Sequence, residues 1–392
     1  MINDYFGRTA FGELQIVLTY VTVYWLLTDF GLNAVVVRHM AAEPDREQEY
    51  LGGLISLRTI LSLGLALVSG LVLLMLPYSF EIKLAAGLGI FTIFTQGIKG
   101  AIHGLFQTRL RYDLQLIESL IGSIVYLGLV YWLTRQDYSL FYLVGAFVAG
   151  QVTMTLVSIY FTTRLARFQF NFNPVLLKQL AIATLPFGIS LLFNLGNFKL
   201  DSFLLSILRL EHYANADAVG IYNVAYKFFE FALIVPTFLM NALYPVLIKS
   251  FEDSLPKFRR LFWQSGLVLL TIAVGGMSLT FVLAPWMISL VGSLDEYQES
   301  VTVLKILIAA APVFFLSSLL MWTVLVFKDQ KVLIKIYAAA FLVNLTLNLW
   351  LIPEYGFYGA AATTGVSELL ILILLAGHIY AKFKEQNSKT KA

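Results

Sequence analysis

The 392-residue sequence contains no cysteine, which excludes a disulfide framework, a thiolate metal site and a cysteine nucleophile. Histidine is scarce as well: His39, His103, His212 and His378 are too scattered to read as a metal cluster. Charge is the third shortage. Asp, Glu, Lys and Arg make up 13% of the residues, against roughly 25% in an ordinary soluble domain. Hydrophobic residues reach 59% and aromatic ones 15%, more apolar surface than a water-facing shell can hide. A soluble globular enzyme is excluded, lipid is the remaining solvent, and no enzymatic activity, cofactor or nucleic-acid partner is expected.

What is present is a series of long apolar runs. Those between charged or Pro/Gly-containing breaks cover 12–32, 51–77, 82–106, 114–134, 139–162, 180–208, 218–246, 260–286, 301–326, 331–352 and 357–380. Each is about 20 residues or longer, the length of a spanning helix. Backbone in hydrocarbon must satisfy itself as helix or closed barrel, and alternating ten-residue strands are absent, so an all-α polytopic membrane protein is predicted.

Lys and Arg fix the orientation, because cytoplasmic loops retain positive charge. One set of connections, with the C-terminal tail, holds seventeen of them, including Arg38, Arg46, Arg109, Arg111, Lys257 and Arg259. The opposite set holds Lys83, Arg135 and Arg209, with Arg8 in the N-terminal stub. The C-terminus is therefore expected in the cytoplasm and the chain in the cell (inner) membrane. Eleven spans then put the N-terminus outside with no helix to carry it there, and the parity favours a missing first helix.

A shift of 208 residues lays Phe11-Gly12-Glu13-Leu14 on Val219-Gly220-Ile221-Tyr222 and Asn33-Ala34 on Asn241-Ala242. Chance matching of apolar helices is the competing reading. If the repeat is real, a glycine opens each of two equivalent helices, Asn-Ala closes it, and the halves have six helices each in the same orientation. The lobes would be 1–162, with five spans present, and 180–382, joined by the basic connection 163–179 and followed by a basic tail, 383–392.

Six cations remain inside the spans: Arg58, Lys99, Lys199, Lys227, Lys305 and Lys335. Their acidic companions are Asp29, Glu118, Asp201, Glu230 and Glu368. A charge at a helix centre costs on the order of 3 kcal/mol on insertion scales, so these side chains are expected to line a polar interior. Lys335, Lys305 and Asp29 lie near span ends, where snorkelling suffices. Arg58, Lys99 and Glu118 form a layer toward the cytoplasmic ends of three spans. Asp201 with Lys227, or Lys227 with Glu230, read equally as internal salt bridges or as ligand and coupling groups. Pro186, Pro236, Pro245 and Pro312 interrupt the backbone ladder within spans.

The runs AFGEL (10–14) and TDFGLNAVVVR (28–38), the stretch 199–247 with its Asp, its Val-Gly-x-Tyr start to the next helix, a mid-helix Glu and a closing Pro, and LNLWLIPEYGFYGAAATT (347–364) resemble bacterial polysaccharide transporters. The resemblance is to the O-antigen flippase type of the multidrug/oligosaccharidyl-lipid/polysaccharide (MOP) superfamily. It implies a twelve-helix, MATE-like V-shaped bundle of two pseudo-symmetric lobes that alternates access to a central cavity, and a cargo of sugar repeat units on a polyprenyl pyrophosphate. On this resemblance the family's first helix is expected to be missing from the sequence. On that reading Arg58 and Lys99 meet the pyrophosphate from the cytoplasm and Lys199 and Lys227 on release. Asp201, Glu230, Glu368 and Glu118 bind a coupling proton or sodium ion, or balance charge. A lipid-linked-sugar polymerase would need a large outer loop, and the longest here spans only about 287–300. A cation-coupled multidrug antiporter of the same superfamily is the rival; its often cationic substrates call for fewer cavity cations.

Overall fold

The computed structural model describes residues 2–133 and 139–391, and every regular element in it is helical. Arg135 lies outside the described residues, as do the side chains of Arg38, Pro186, Pro245, Lys389 and Lys391. The chain divides into two compact units, 1–199 and 200–392.

Unit 1 opens with α1 (Ile2–Asp29), which begins ten residues ahead of the expected first span. It ends where Phe30 and Gly31 take left-handed φ values of 36° and 74°, and α2 (Leu32–Ala42) follows. Asn33-Ala34 therefore opens a helix instead of closing one. In the second half the shift sets Leu239 against Gly31. A leucine resists the left-handed conformation that glycine adopts freely, and the equivalent helix runs unbroken past Asn241-Ala242. Then come α3 (Glu47–Met75), α4 (Phe80–Thr108), α5 (Tyr112–Leu133) and α6 (Leu140–Leu165). Helix α4 packs against α1, α3 and α6, and α5 against α6. Lipid-facing stripes are apolar, as at Leu63, Leu67, Leu71 and Leu74 of α3. Outside the spans, Arg109 grips both oxygens of Glu47 at 2.6 and 2.9 Å, clamping the end of α4 to the start of α3. That carboxylate holds the Arg109 guanidinium above its usual pKa.

Helix α7 (Pro174–Ile207) belongs to both units. Its Leu176 and Leu180 pack with Leu32, Leu51 and Leu54 of α2 and α3, so its first half sits in unit 1.

Unit 2 continues with α8 (Asn215–Asp253), α9 (Leu255–Ser289), α10 (Leu294–Ala309), α11 (Ala311–Val326) and α12 (Gln330–Lys391). The expected span 301–326 is two helices, parted at Ala310, with Pro312 in the first turn of α11, where its missing N–H costs nothing. Helix α12 would reach about 90 Å if straight, three times a bilayer core. It folds back at Gly356 (φ 55°, ψ −132°), so that Asn344 Nδ2 donates to Ser367 Oγ at 3.1 Å. It thus holds both of the last two spans. Nine helices among the described residues are long and apolar enough to cross a membrane, α12 counting once. The fold is all-α and multi-pass.

Candidate functional site

In unit 1 the polar residues of the apolar helices converge on α4. Thr92, Thr95, Lys99 and His103 recur at three- and four-residue spacing and so share one face. Thr92 accepts a bond from Trp25 of α1 at 3.1 Å. The Thr95 carbonyl accepts from Thr155 of α6 at 3.3 Å. Lys99, 7% exposed, donates to Gln151 Oε1 of α6 at 2.9 Å. His103 Nε2 meets Oε1 of the fully buried Glu118 of α5 at 2.6 Å. Helices α1, α5 and α6 thus each supply a partner to the stripe, and α3 contributes a charged group of its own.

That contribution is Arg58, 1% exposed. Its guanidinium is ion-paired with Asp29 at the end of α1, whose side chain is 42% exposed. Arg58 Nε has no hydrogen-bond partner among the described residues. Gly100 of α4 makes the room, because a Cβ there would strike the guanidinium. Asp29, expected to reach the headgroups alone, is instead the counter-ion of a buried arginine.

In unit 2 Asp201 is fully buried and surrounded by neutral donors. Its Oδ1 accepts from Asn348 Nδ2 at 2.6 Å, and its Oδ2 from Tyr222 OH at 2.8 Å and Thr364 Oγ1 at 2.5 Å. The Asn348 Oδ1 and the Thr363 hydroxyl nearby are buried with no partner among the described residues. No Asp201–Lys227 pair forms. Lys227 Nζ bonds Glu230 Oε2 of its own helix at 3.0 Å, with 55% of the lysine side chain exposed. Glu368 accepts from Ser317 of α11. Lys199 is half-buried, Lys305 likewise, and Lys335 is exposed. The groups missed by sequence reasoning are the neutral or histidine partners: His103, Gln151, Tyr222, Asn348 and Thr364. Their one available signal was polarity within an apolar run, which Ser and Thr residues throughout these helices dilute.

Among the described residues no group of three or more His, Asp or Glu is placed to hold a metal ion. The Asp201 cluster is of another kind, one carboxylate among neutral oxygens, which suits a proton or a hard monovalent cation.

A sequence model of the polysaccharide biosynthesis protein family matches residues 3–251. No curated protein matches the chain. Among solved structures, the fold is similar to the inward-facing conformation of a multidrug resistance MATE family transporter of the MOP superfamily, with a TM-score of 0.77 at 12% identity over 98% of this chain and 95% of that one. It is equally similar to the lipid II flippase MurJ in an inward closed conformation, with a TM-score of 0.77 at 13% identity over 97% and 83% of the two chains. A MOP superfamily transporter from Pyrococcus furiosus, for which reversed polarity of the binding pocket suggests a different function, aligns with a TM-score of 0.58 at 14% identity over 95% and 88%. At such identities the likeness is one of fold.

Proposed function

Because this chain belongs to the polysaccharide biosynthesis protein family and has the MOP transporter fold, we propose that it is a flippase for lipid-linked oligosaccharides. Its cargo would be sugar repeat units on a polyprenyl pyrophosphate, moved by alternating access for assembly of a cell-surface polysaccharide such as O-antigen. The apolar tail of such a cargo travels in lipid, and only the pyrophosphate and sugars need shielding.

The observation that carries this reading is Lys227. It stands exposed on α8 in a stripe shared with Phe231, Ile234 and Phe238. A cation exposed to hydrocarbon costs on the order of 3 kcal/mol or more, so a water-filled cavity or an anionic cargo is the fitting neighbour of that face. Lys199, Arg58 and Lys99 are the further proposed pyrophosphate contacts. Arg58 and Lys99 are held by Asp29 and Gln151, which the phosphate oxygens would replace; a bidentate phosphate competes well for a guanidinium.

Asp201, Glu230, Glu368 and Glu118 are the proposed coupling or charge-balancing acids, with Asp201 the best equipped for sodium or a proton. The lobes would be 1–162 and 180–382, connected through 163–179, although the first half of α7 packs with unit 1. The seventeen basic residues of one loop set support a cytoplasmic C-terminus and an inner-membrane location. The rival reading, a cation-coupled multidrug antiporter, draws on the same Asp201 cluster.

The test is complementation of a flippase-deficient strain, paired with flipping of a fluorescent lipid-linked oligosaccharide in proteoliposomes. Restored surface polysaccharide and flipping support the proposal. Dye export with neither would favour the antiporter.

A further inference from the structure

At the loop end of unit 2 where α9 starts and α12 finishes, a cavity of about 300 Å³ is lined by Arg259, Trp263, Tyr380, Phe383 and Lys384. We propose that it binds an acidic phospholipid, with Arg259 and Lys384 on the headgroup phosphate.

By length and composition a candidate span begins at Leu255 in α9 and another ends at Glu385 in α12. Arg259 ties them, donating from Nη2 to the Phe383 carbonyl at 3.1 Å, with its guanidinium carbon 4.9 Å from the centre of the Phe383 ring. Each helix then presents the same order of chemistry from its end inward. Going inward, α9 offers Arg259, then Trp263 one turn deeper, then Leu267 another turn down, the last two 70% and 66% exposed. The return arm of α12 offers Lys384, then Tyr380 one turn deeper, then Ile373, the last two 73% and 58% exposed. Cation, interfacial aromatic and aliphatic layers repeat the phosphate, glycerol and acyl zones of a lipid.

Charge complementarity names the occupant. Two other nearby cations are already answered: Lys257 by Asp253 at 2.5 Å and Lys382 by Asp329 at 3.3 Å. Lys257 keeps the Asp253 carboxyl below its usual range. Arg259 and Lys384 have no carboxylate partner among the described residues, and Arg259 Nε has no hydrogen-bond partner among them. A guanidinium pinned by ring and carbonyl has most of its donors still to give. A soluble anion would use the cations but leave the aromatic and aliphatic layers unexplained. The site stands apart from the proposed cargo contacts, and its test is independent of them.

The experiment is native mass spectrometry of the full chain in detergent, titrated with dioleoylphosphatidylglycerol or dioleoylphosphatidylcholine. The wild type should prefer phosphatidylglycerol by about tenfold or more, as two surface cations imply. The R259Q/K384Q double variant should lose that preference. Should the double variant not fold, K384Q alone, which removes an exposed lysine, should weaken the preference about threefold to fivefold. Two results would overturn the proposal: a preference unchanged in the variants, or displacement of phosphatidylglycerol by inorganic phosphate at millimolar concentration, which would mark a soluble-anion site.

Discussion

Asp201 of α7 and Asn348 of α12 lie 147 residues apart in the chain and 2.6 Å apart in space. Three neutral donors converge on this one carboxylate, so every hydrogen bond depends on its accepting. Asp201→Asn replaces an acceptor oxygen with an NH₂ that faces donors. The expected cost is about 1–3 kcal/mol, read as a lower melting temperature in detergent. If the cluster takes sodium, NaCl should raise the wild-type melting temperature relative to choline chloride, and Asp201→Asn should abolish that rise. A sodium response surviving in the variant would move the coupling site elsewhere.

Lys227 separates a transport role from a structural one. Its pair with Glu230 is an exposed i,i+3 contact on one helix, the kind that contributes about 0.5 kcal/mol or less. Lys227→Ala should therefore leave protein level and melting temperature nearly unchanged while reducing complementation at least tenfold. Lys227→Arg, which preserves the charge, should rescue part of it. Full complementation by the alanine variant would remove Lys227 from the cargo contacts.

Why sequence reasoning succeeded along the chain and failed around the helices is visible at these residues. Apolar runs mark spans because the bilayer demands length, and all eleven runs fall on helices. The extent of most helices was legible. Azimuth was not: Tyr222 and Tyr226 of α8 are buried, Tyr222 on Asp201, while Lys227, the next residue, is turned about 100° away and exposed. That single step decides between the two salt bridges that residue spacing left open. Partners on other helices were equally hidden. Nothing in the spacing of Arg58 and Asp29, or of His103 and Glu118, announces that α3 meets α1 and α5 meets α4 there. The break after α1 was missed because a helix-period pattern runs on through it, and its left-handed turn falls on Phe30 as well as Gly31.

The Arg58 pocket yields a prediction of unusual sign. Ala in a helix interior ordinarily gains up to about 1 kcal/mol over Gly. At Gly100 the new methyl would collide with the buried guanidinium. Gly100→Ala should therefore destabilise the protein by about 1–3 kcal/mol, and the effect should shrink or reverse in an Arg58→Ala background, a coupling that a double-mutant cycle measures. Asp29→Asn, which strips the arginine of its counter-ion, should cost more than an average surface change, up to about 3 kcal/mol. Additivity of the Gly100 and Arg58 substitutions would show that the glycine serves some other contact.

Gly356 offers the complementary case, where space is free and the backbone alone resists. A Cβ there would touch nothing within 4 Å, yet φ 55° with ψ −132° is a conformation that side-chain-bearing residues avoid. Gly356→Ala should cost about 1–3 kcal/mol, whereas Gly275→Ala, in open space at ordinary helical angles, should be neutral or stabilising. The consequence reaches further than stability. Asn348 and Thr364 stand eight residues to either side of Gly356, and it is the fold at this glycine that brings both to the same depth on Asp201. Loosening the hairpin should slide the two arms past each other and take one donor off the carboxylate. The sodium response of the melting temperature should therefore fall in Gly356→Ala in step with stability, and stay intact in Gly275→Ala. A Gly356→Ala protein that melts earlier but keeps the full response would show that the arms hold their register without the turn.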